Sequence, residues 1–145
     1  MLGDALLALL HYLSIFAVVA VIVAELVLCK GVLDPATVRR LSGIDRVYPI
    51  AALLALATGF ARVFLGPKGW WFYGANPFFW AKLGVFIAIG LLSIPPTIAF
   101  IRWRKSGVAP TAAETAGTRR YISWQTMLLP LLPVCAVLMA RGIGA

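Results

Sequence analysis

Cysteine and charged side chains are scarce in this chain. Only 2 of its 145 residues are cysteines, and only 12% are charged, with 5 acidic against 13 basic residues. Cys29 and Cys135 form neither a CxxC pair nor the spacing of a metal site. In the topology derived below they lie toward opposite faces of a membrane, which excludes a disulfide between them. We expect both to be small apolar residues that fill space.

Apolar residues, in contrast, are abundant. They make up 62% of the sequence and the mean hydropathy is +0.95, whereas soluble domains contain roughly 45–50% apolar residues. The apolar runs fill most of the chain, so we expect one domain over residues 1–145 and no separate soluble domain. The net charge of +8 lies between these runs rather than on one helix face. No nucleic-acid motif accompanies it, so we expect a lipid bilayer as the partner and no nucleic acid.

Four runs are long enough to cross a bilayer as helices. They predict helices at about 5–29, 48–65, 77–100 and 119–139. No basic segment precedes the first run, so we expect a spanning helix rather than a cleavable signal peptide. Asp34-Pro35 is a helix-start signal and predicts a short surface helix in the first connection. Trp70 and Trp71 in the second connection are typical of a membrane–water interface. The sequence therefore predicts an all-α, integral membrane four-helix bundle.

The basic residues predict the orientation. Nine of them lie in or beside the first and third connections, and four lie toward the other side. By the positive-inside rule, connections one and three are cytoplasmic and both termini are non-cytoplasmic, in a bacterial inner (cytoplasmic) membrane. Four short helices bury little surface, so we expect a homodimer or a subunit of a larger membrane complex.

A few polar side chains fall inside the predicted spans, where an ionisable group costs roughly 2.5–3.5 kcal/mol at the bilayer centre. On helix one, His11, Ser14 and Glu25 project from one face, because fourteen residues are close to four turns. Glu25 stands alone near the cytoplasmic end. Its expected partners are Arg102, Arg119 or Tyr121.

Three ionisable side chains are predicted to lie at the same depth in the membrane. His11, Arg62 and Lys82 all fall at the level of the outer leaflet. A neutral imidazole is a common axial ligand of haem iron, and two cations could offset the carboxylates of the haem propionates. The single histidine excludes a bis-histidine site within one chain. The alternative is that His11 hydrogen-bonds a neighbouring helix while Arg62 and Lys82 extend to the headgroups.

Prolines interrupt the last two spans. Pro95-Pro96 in helix three and Pro130 and Pro133 in helix four each remove an intrahelical hydrogen bond. In lipid, the freed carbonyls must find partners within the bundle. We expect kinks that shape the packing; the alternative is that these carbonyls help to line a site.

Four stretches together resemble a family of predicted bacterial four-helix membrane proteins of unassigned function. They are LHYLSIFAVVAVIVAEL from Leu10, YPIAALLALATGFARVFLGPKG from Tyr48, NPFFWAKLGVFIAIGLLSIPPTIAFIRWR from Asn76 and RRYISWQTMLLPLLP from Arg119. They cover most of the chain, and the NPFFWAK and LLSIPPT segments are fairly specific.

More remotely, the layout is similar to the small membrane protoporphyrinogen oxidases of bacterial haem synthesis. That family also has four helices, a Leu-His in helix one, a Thr-Gly in helix two and a Trp-x-x-Lys-Leu at the start of helix three. The resemblance implies haem b, with His11 and Lys82 as functional residues and Trp80 one position out of register. The chain has Glu25 and Cys29 where that family carries arginine and histidine, so the resemblance favours the haem site over porphyrinogen oxidation.

The leading hypothesis is a membrane haem b protein that passes electrons between a quinol or porphyrinogen and a partner, as an oxidoreductase or electron-transfer subunit. His11 is the iron ligand, Arg62 pairs with a propionate, and Lys82 is a propionate partner or a second, neutral ligand. Ser14 and Trp80 complete the expected site. One alternative is a cofactor-free structural or accessory subunit of a larger complex. Another is a small proton-coupled transport module that uses Glu25.

Overall fold

The computed structural model describes residues 1–144, and these form an antiparallel helical bundle. Its helices are α1 (Leu2–Cys29), α2 (Pro35–Leu65), α3 (Gly69–Gly74), α4 (Pro77–Ser106), α5 (Ala112–Leu128) and α6 (Leu131–Ala140). α5 and α6 together make the fourth span. Four helical segments are long and apolar enough to cross a membrane, and the described residues include no strand. The predicted all-α architecture with four spans is confirmed.

The second span begins earlier than expected. The Asp34 carboxylate accepts a hydrogen bond of 2.8 Å from the Thr37 amide and caps α2, and Pro35 occupies its first position. The hydrogen bonds from Thr37 hold the pKa of this exposed carboxyl below its usual value. α2 then continues without a break through Pro49 to Leu65. The predicted surface helix is therefore the first part of the second span, because polar residues of that part, such as Ser42, are buried in the bundle.

The third connection is shorter than expected. α4 continues six residues past the predicted end at residue 100 and stops at Gly107, whose φ of +67° ends the helix. α5 begins at Ala112, where Thr111 caps it by accepting from the Glu114 amide. The predicted helix bounds left residues 101–118 between the third and fourth spans, whereas in the structure only residues 107–111 lie between α4 and α5.

The prolines act in two ways. α4 stays helical through Pro95-Pro96. Pro96 has no amide hydrogen to donate to the Leu92 carbonyl, and the Gln125 amide nitrogen of α5 donates to that carbonyl instead, at 3.3 Å. In the fourth span the helix breaks at Leu129–Pro130 and restarts as α6. The freed carbonyl at Leu92 therefore joins α4 to α5, while Leu129 and Pro130 separate α5 from α6 within the fourth span.

The helices pack unevenly around the bundle. α1 lies along α2 and also contacts α5, and α4 packs on α2, α5 and α6. α1 and α6 make few or no direct contacts. The main apolar core includes Ile22, Leu41, Phe100 and Ile122. Below, the end of the bundle that carries α3 is called the α3 end, and the end with the α1–α2 and α4–α5 connections is the opposite end.

Large apolar side chains cover the outside of the bundle. Leu53, Leu91 and Val134, from three different spans, are each more than half exposed. A water-soluble monomer rarely exposes continuous apolar surface of this kind, whereas the acyl chains of a bilayer solvate it. The polar side chains described next are inside the bundle.

Candidate functional site

A cavity of about 590 Å³ lies at the α3 end, between α1, α2, α4 and α6. Its volume is within the range of roughly 300–1,000 Å³ typical of small-molecule sites. Most of its lining is aliphatic or aromatic, and the charged or imidazole side chains in it are His11, Arg62 and Lys82. No acidic side chain among residues 1–144 lines it. The structure thus brings the three residues expected at one depth to one apolar cavity.

His11 is held tightly by α2. Its side chain is 7% exposed, and its ring lies against Gly59, where an added Cβ would be only 3.1 Å from the ring carbon Cε1. The ring nitrogen Nδ1 is 3.1 Å from the Ala55 carbonyl oxygen and 3.0 Å from Oγ1 of Thr58. Gly59 leaves the room for the ring, and two polar partners fix its rotation.

These partners also determine where the ring hydrogen lies. The Ala55 carbonyl oxygen can only accept. The Thr58 hydroxyl donates its hydrogen to the Leu54 carbonyl at 2.6 Å, so toward His11 it offers a lone pair. Both groups therefore call for a hydrogen on Nδ1, which leaves Nε2 with a free lone pair. Metal-binding histidines show the same arrangement, in which the second ring nitrogen donates to a carbonyl or similar acceptor.

The two cations of the cavity come from different helices. The Arg62 guanidinium of α2 lies 5.4 Å from the centre of the Tyr12 ring of α1, and the half-buried Lys82 comes from the first turns of α4. Within residues 1–144 the only ion pair joins Arg102 and Glu114, 3.9 Å apart at the opposite end. The cavity therefore carries two positive charges without a carboxylate of the chain beside them. Such a site favours a ligand with anionic groups.

An aromatic cluster closes the cavity at the α3 end. Phe79 packs edge-on against Phe60 at 6.3 Å and against Trp70 at 6.0 Å, and Tyr73 of α3 joins the same cluster. Phe60, Tyr73 and Phe79 all line the cavity. The sequence predicted an aromatic connection at the membrane interface here, and in the structure aromatic side chains of this region cover one end of the cavity. Phe60, Trp70, Tyr73 and Phe79 are called the aromatic roof below.

Two hydrogen bonds attach the end of α6 to this roof. Lys68 donates to the Ala140 carbonyl at 3.3 Å, and the Asn76 side-chain amide donates to the Ile143 carbonyl at 3.2 Å. Since α6 makes few contacts with α1, these bonds and the packing on α4 hold it in place. The attachment keeps α6 as the fourth wall of the cavity.

The cavity is exposed at its α1 wall. Tyr12 and Phe16 of α1 line it, yet they are 53% and 67% exposed. α1 makes few or no direct contacts with α6, another wall of the cavity. The lining at α1 is therefore accessible from outside the bundle.

Two expected site residues lie outside the cavity. Ser14 is buried and donates to the Leu10 carbonyl of its own helix at 2.7 Å. Trp80 is 50% exposed, donates from Nε1 to the Gly74 carbonyl at 3.0 Å and packs edge-on against Trp70. Neither lines the cavity. The structure does not bring them to the cavity with His11, and their place in a cofactor site stays a prediction.

Glu25 shares the buried face of α1 with His11, about 21 Å away at the rise of an α-helix. Its side chain meets Asp45 of α2 instead of the expected Arg102, Arg119 or Tyr121. Asp45 was missed because the second span was predicted to start after it. The sequence did contain a signal for Asp45. Counted back from Ala55, the residues Tyr48, Asp45 and Val38 follow at intervals of seven, three and seven, which places all four on one buried face of α2.

Thr58 is the other residue that the sequence alone did not place in the site. It entered through the Thr-Gly pair of the resemblance to protoporphyrinogen oxidases, and its role depends on which face of α2 meets His11. The Thr58-Gly59 dipeptide is the signal, since the threonine supplies the acceptor and the glycine the space.

Comparison with known proteins gives one family. No curated protein and no solved structure matches the chain, and the resemblance to protoporphyrinogen oxidases finds no support in these comparisons and stays a prediction. The family described as predicted membrane protein (DUF2214) matches residues 3–144. The chain therefore belongs to this family of predicted membrane proteins.

Proposed function

We propose that the chain is a membrane haem b protein and that the cavity at the α3 end is its haem site. The observation that carries the proposal is the orientation of His11. Its Nδ1 hydrogen is engaged by Ala55 and Thr58, so Nε2 is available as an axial ligand of the iron. His11 also lines the cavity, and within residues 1–144 its hydrogen bonds are made by Nδ1 alone.

The rest of the cavity fits the same ligand. Haem is a flat, apolar molecule with two carboxylates, and the cavity combines apolar walls with two cations that lack an acidic partner. Arg62 and Lys82 would each hold a propionate by charge-assisted hydrogen bonds. The exposed cavity wall at Tyr12 and Phe16 would let such a molecule enter from outside the bundle.

Two side chains could supply a second ligand to the iron. Lys82 could bind the iron as a neutral amine, and the thioether of Met139, which also lines the cavity, is a known haem ligand type. When bound, haem would supply one-electron redox chemistry, with a quinol or porphyrinogen as the lipid-soluble electron donor. Thr58 would keep His11 in the ligating tautomer, and the aromatic roof would exclude water.

Titration of the purified, haem-free chain with haemin in detergent tests this proposal. We expect a saturable 1:1 change in the Soret band for the wild type and its loss in His11→Ala. Arg62→Gln and Lys82→Gln should each weaken binding by about tenfold to a hundredfold, since a hydrogen bond to a charged group contributes about 1.5–3 kcal/mol.

Ser14→Ala and Trp80→Phe are matched controls, because both residues lie close to the site in sequence but outside the cavity. Both variants should bind haemin like the wild type. The proposal is wrong if the wild type shows no saturable binding, or if His11→Ala binds with the affinity and spectrum of the wild type.

A second candidate ligand is an anionic lipid, favoured by the two cations and by the apolar, partly exposed lining of the cavity. Native mass spectrometry separates the two ligands. A retained phospholipid lost in Lys82→Gln but kept in His11→Ala would support the lipid, because a lipid does not use the imidazole lone pair. The accessory-subunit and transport alternatives stay predictions.

A further inference from the structure

The five acidic residues of the chain divide into two groups. Asp4, Asp34 and Glu114 are exposed. Glu25 and Asp45 are only 3% and 5% exposed, and their side chains meet across the contact between α1 and α2 near the opposite end. Two carboxyl groups inside a membrane bundle are costly and need an explanation.

The surroundings are polar but supply no positive charge to the pair. Tyr48, one turn from Asp45 on α2, reaches Ser93 of α4 with its hydroxyl. Within residues 1–144 the only ion pair is the one between Arg102 and Glu114. Arg119, which is half-buried, lies near Cys29, one turn beyond Glu25, and forms no ion pair with either acid.

Among the described residues 1–144, two buried side-chain oxygen atoms lack a hydrogen-bond partner: Oε1 of Glu25 and Oε1 of Gln125. Gln125 belongs to α5, and its amide nitrogen donates to the Leu92 carbonyl, next in sequence to Ser93. Acceptor oxygens are thus in excess over donors at this level of the bundle. An excess of buried acceptors calls for added hydrogens or a cation.

The contact between the two carboxyl groups favours an added hydrogen over a bound cation. Two ionised carboxylates side by side in a medium of low dielectric repel each other, and neither can donate a hydrogen bond. A carboxyl group that keeps its hydrogen can donate to the other, and the contact becomes attractive. A shared hydrogen also halves the charge that the bundle must bury.

We propose that Glu25 and Asp45 form a proton-binding site, in which the two carboxyl groups share one proton between α1 and α2. The site is separate from the cavity, since about 21 Å of α1 lies between Glu25 and His11. It joins the two helices with the most extensive contact in the bundle. The proposal does not depend on haem binding and can fail or hold independently of it.

Infrared spectroscopy tests this directly, because the chain has so few acids. The protein is reconstituted in lipid vesicles at neutral pH, with ¹³C-carboxyl glutamate or aspartate in separate samples. We expect a protonated carboxyl C=O band that moves on exchange into D₂O and on labelling. Only Glu25 and Asp45 can give rise to it at this pH, since the other three acids are exposed.

The band should disappear in Glu25→Gln and in Asp45→Asn. In each variant the new amide can donate to the remaining carboxylate, so the fold is kept and no proton is required. Glu114→Gln, at the other glutamate, and Ser42→Ala, on the same buried face of α2, are controls that should keep the band.

Two outcomes overturn the proposal. One is a wild type without a protonated carboxyl band at neutral pH, as expected if the pair is ionised around a bound cation; Na⁺- or Ca²⁺-dependent melting would accompany it. The other is a band that persists in both amide variants. If these variants fail to fold, the labelled wild type alone decides between presence and absence of the proton.

Discussion

Gly59→Ala is the substitution that most sharply tests how α2 holds His11. The added methyl group would be 3.1 Å from Cε1 and 3.6 Å from Nδ1 of the ring, whereas carbon atoms normally pack about 3.5–4.0 Å apart. The ring must move by a few tenths of an ångström, against two hydrogen bonds of 3.1 and 3.0 Å that fix it.

The magnitude follows from two opposing terms. Overpacking costs about 1–3 kcal/mol, while replacing glycine by alanine within a helix contributes about 1 kcal/mol of stability. We expect a net loss of about 1 kcal/mol in unfolding free energy. Because the same shift moves Nε2, the affinity for haemin should fall by about tenfold.

Gly84→Ala is the matched control, because a Cβ on this glycine of α4 would meet no described atom within 4 Å apart from its own helix backbone and its chain neighbours. This variant gains the helix stability that alanine has over glycine, without a clash. It should be at least as stable as the wild type and should bind haemin with unchanged affinity. The assays are thermal unfolding in detergent and haemin titration of both variants. If Gly59→Ala matches Gly84→Ala in both assays, the inferred packing of His11 on α2 is wrong.

Three further outcomes are expected. Thr58→Val keeps the shape but removes one of the two acceptors of the ring hydrogen and leaves the Ala55 carbonyl, so haemin affinity should fall by roughly tenfold; an unchanged affinity would show that Thr58 does not position the ring. In a spheroplast assay, a thiol reagent that cannot cross membranes should label Trp71→Cys from outside and Ser106→Cys only after lysis, since both native cysteines are buried; the reverse pattern would invert the predicted orientation. The depressed pKa of Asp34 means that its cap acts fully above the ordinary pKa of aspartate, about 3.9, and is lost as the pH falls through the lower folded value; an NMR titration of its carboxyl carbon with an ordinary midpoint would show that the cap does not form.

The sequence was sufficient for what depends on one helix at a time. The buried face of α1 follows from the spacing of His11, Ser14 and Glu25, and the structure buries that face. The start of α2 was misplaced because hydropathy marks only the lipid-crossing core of a helix. The first part of α2 is polar but packs inside the bundle, so its signals were the Asp34-Pro35 cap and the spacing of Val38 and Asp45.

Contacts between helices could not be predicted from the sequence. A common depth for His11, Arg62 and Lys82 follows from counting residues, and the structure places all three on one cavity. The acceptors of His11 depend on the rotation of α2 about its axis. The meeting of Glu25 with Asp45 depends in the same way on the relative shift of α1 and α2, which no local pattern contains.

The most direct test of the haem proposal is the absorption spectrum of the chain as isolated. The protein is purified in detergent from cells supplied with ample haem precursor, and the oxidised and dithionite-reduced spectra are compared with the haem content per chain. The proposal predicts close to one haem b per wild-type chain, with a Soret band that shifts on reduction, and little or none in His11→Ala. A colourless, folded wild-type protein would contradict it.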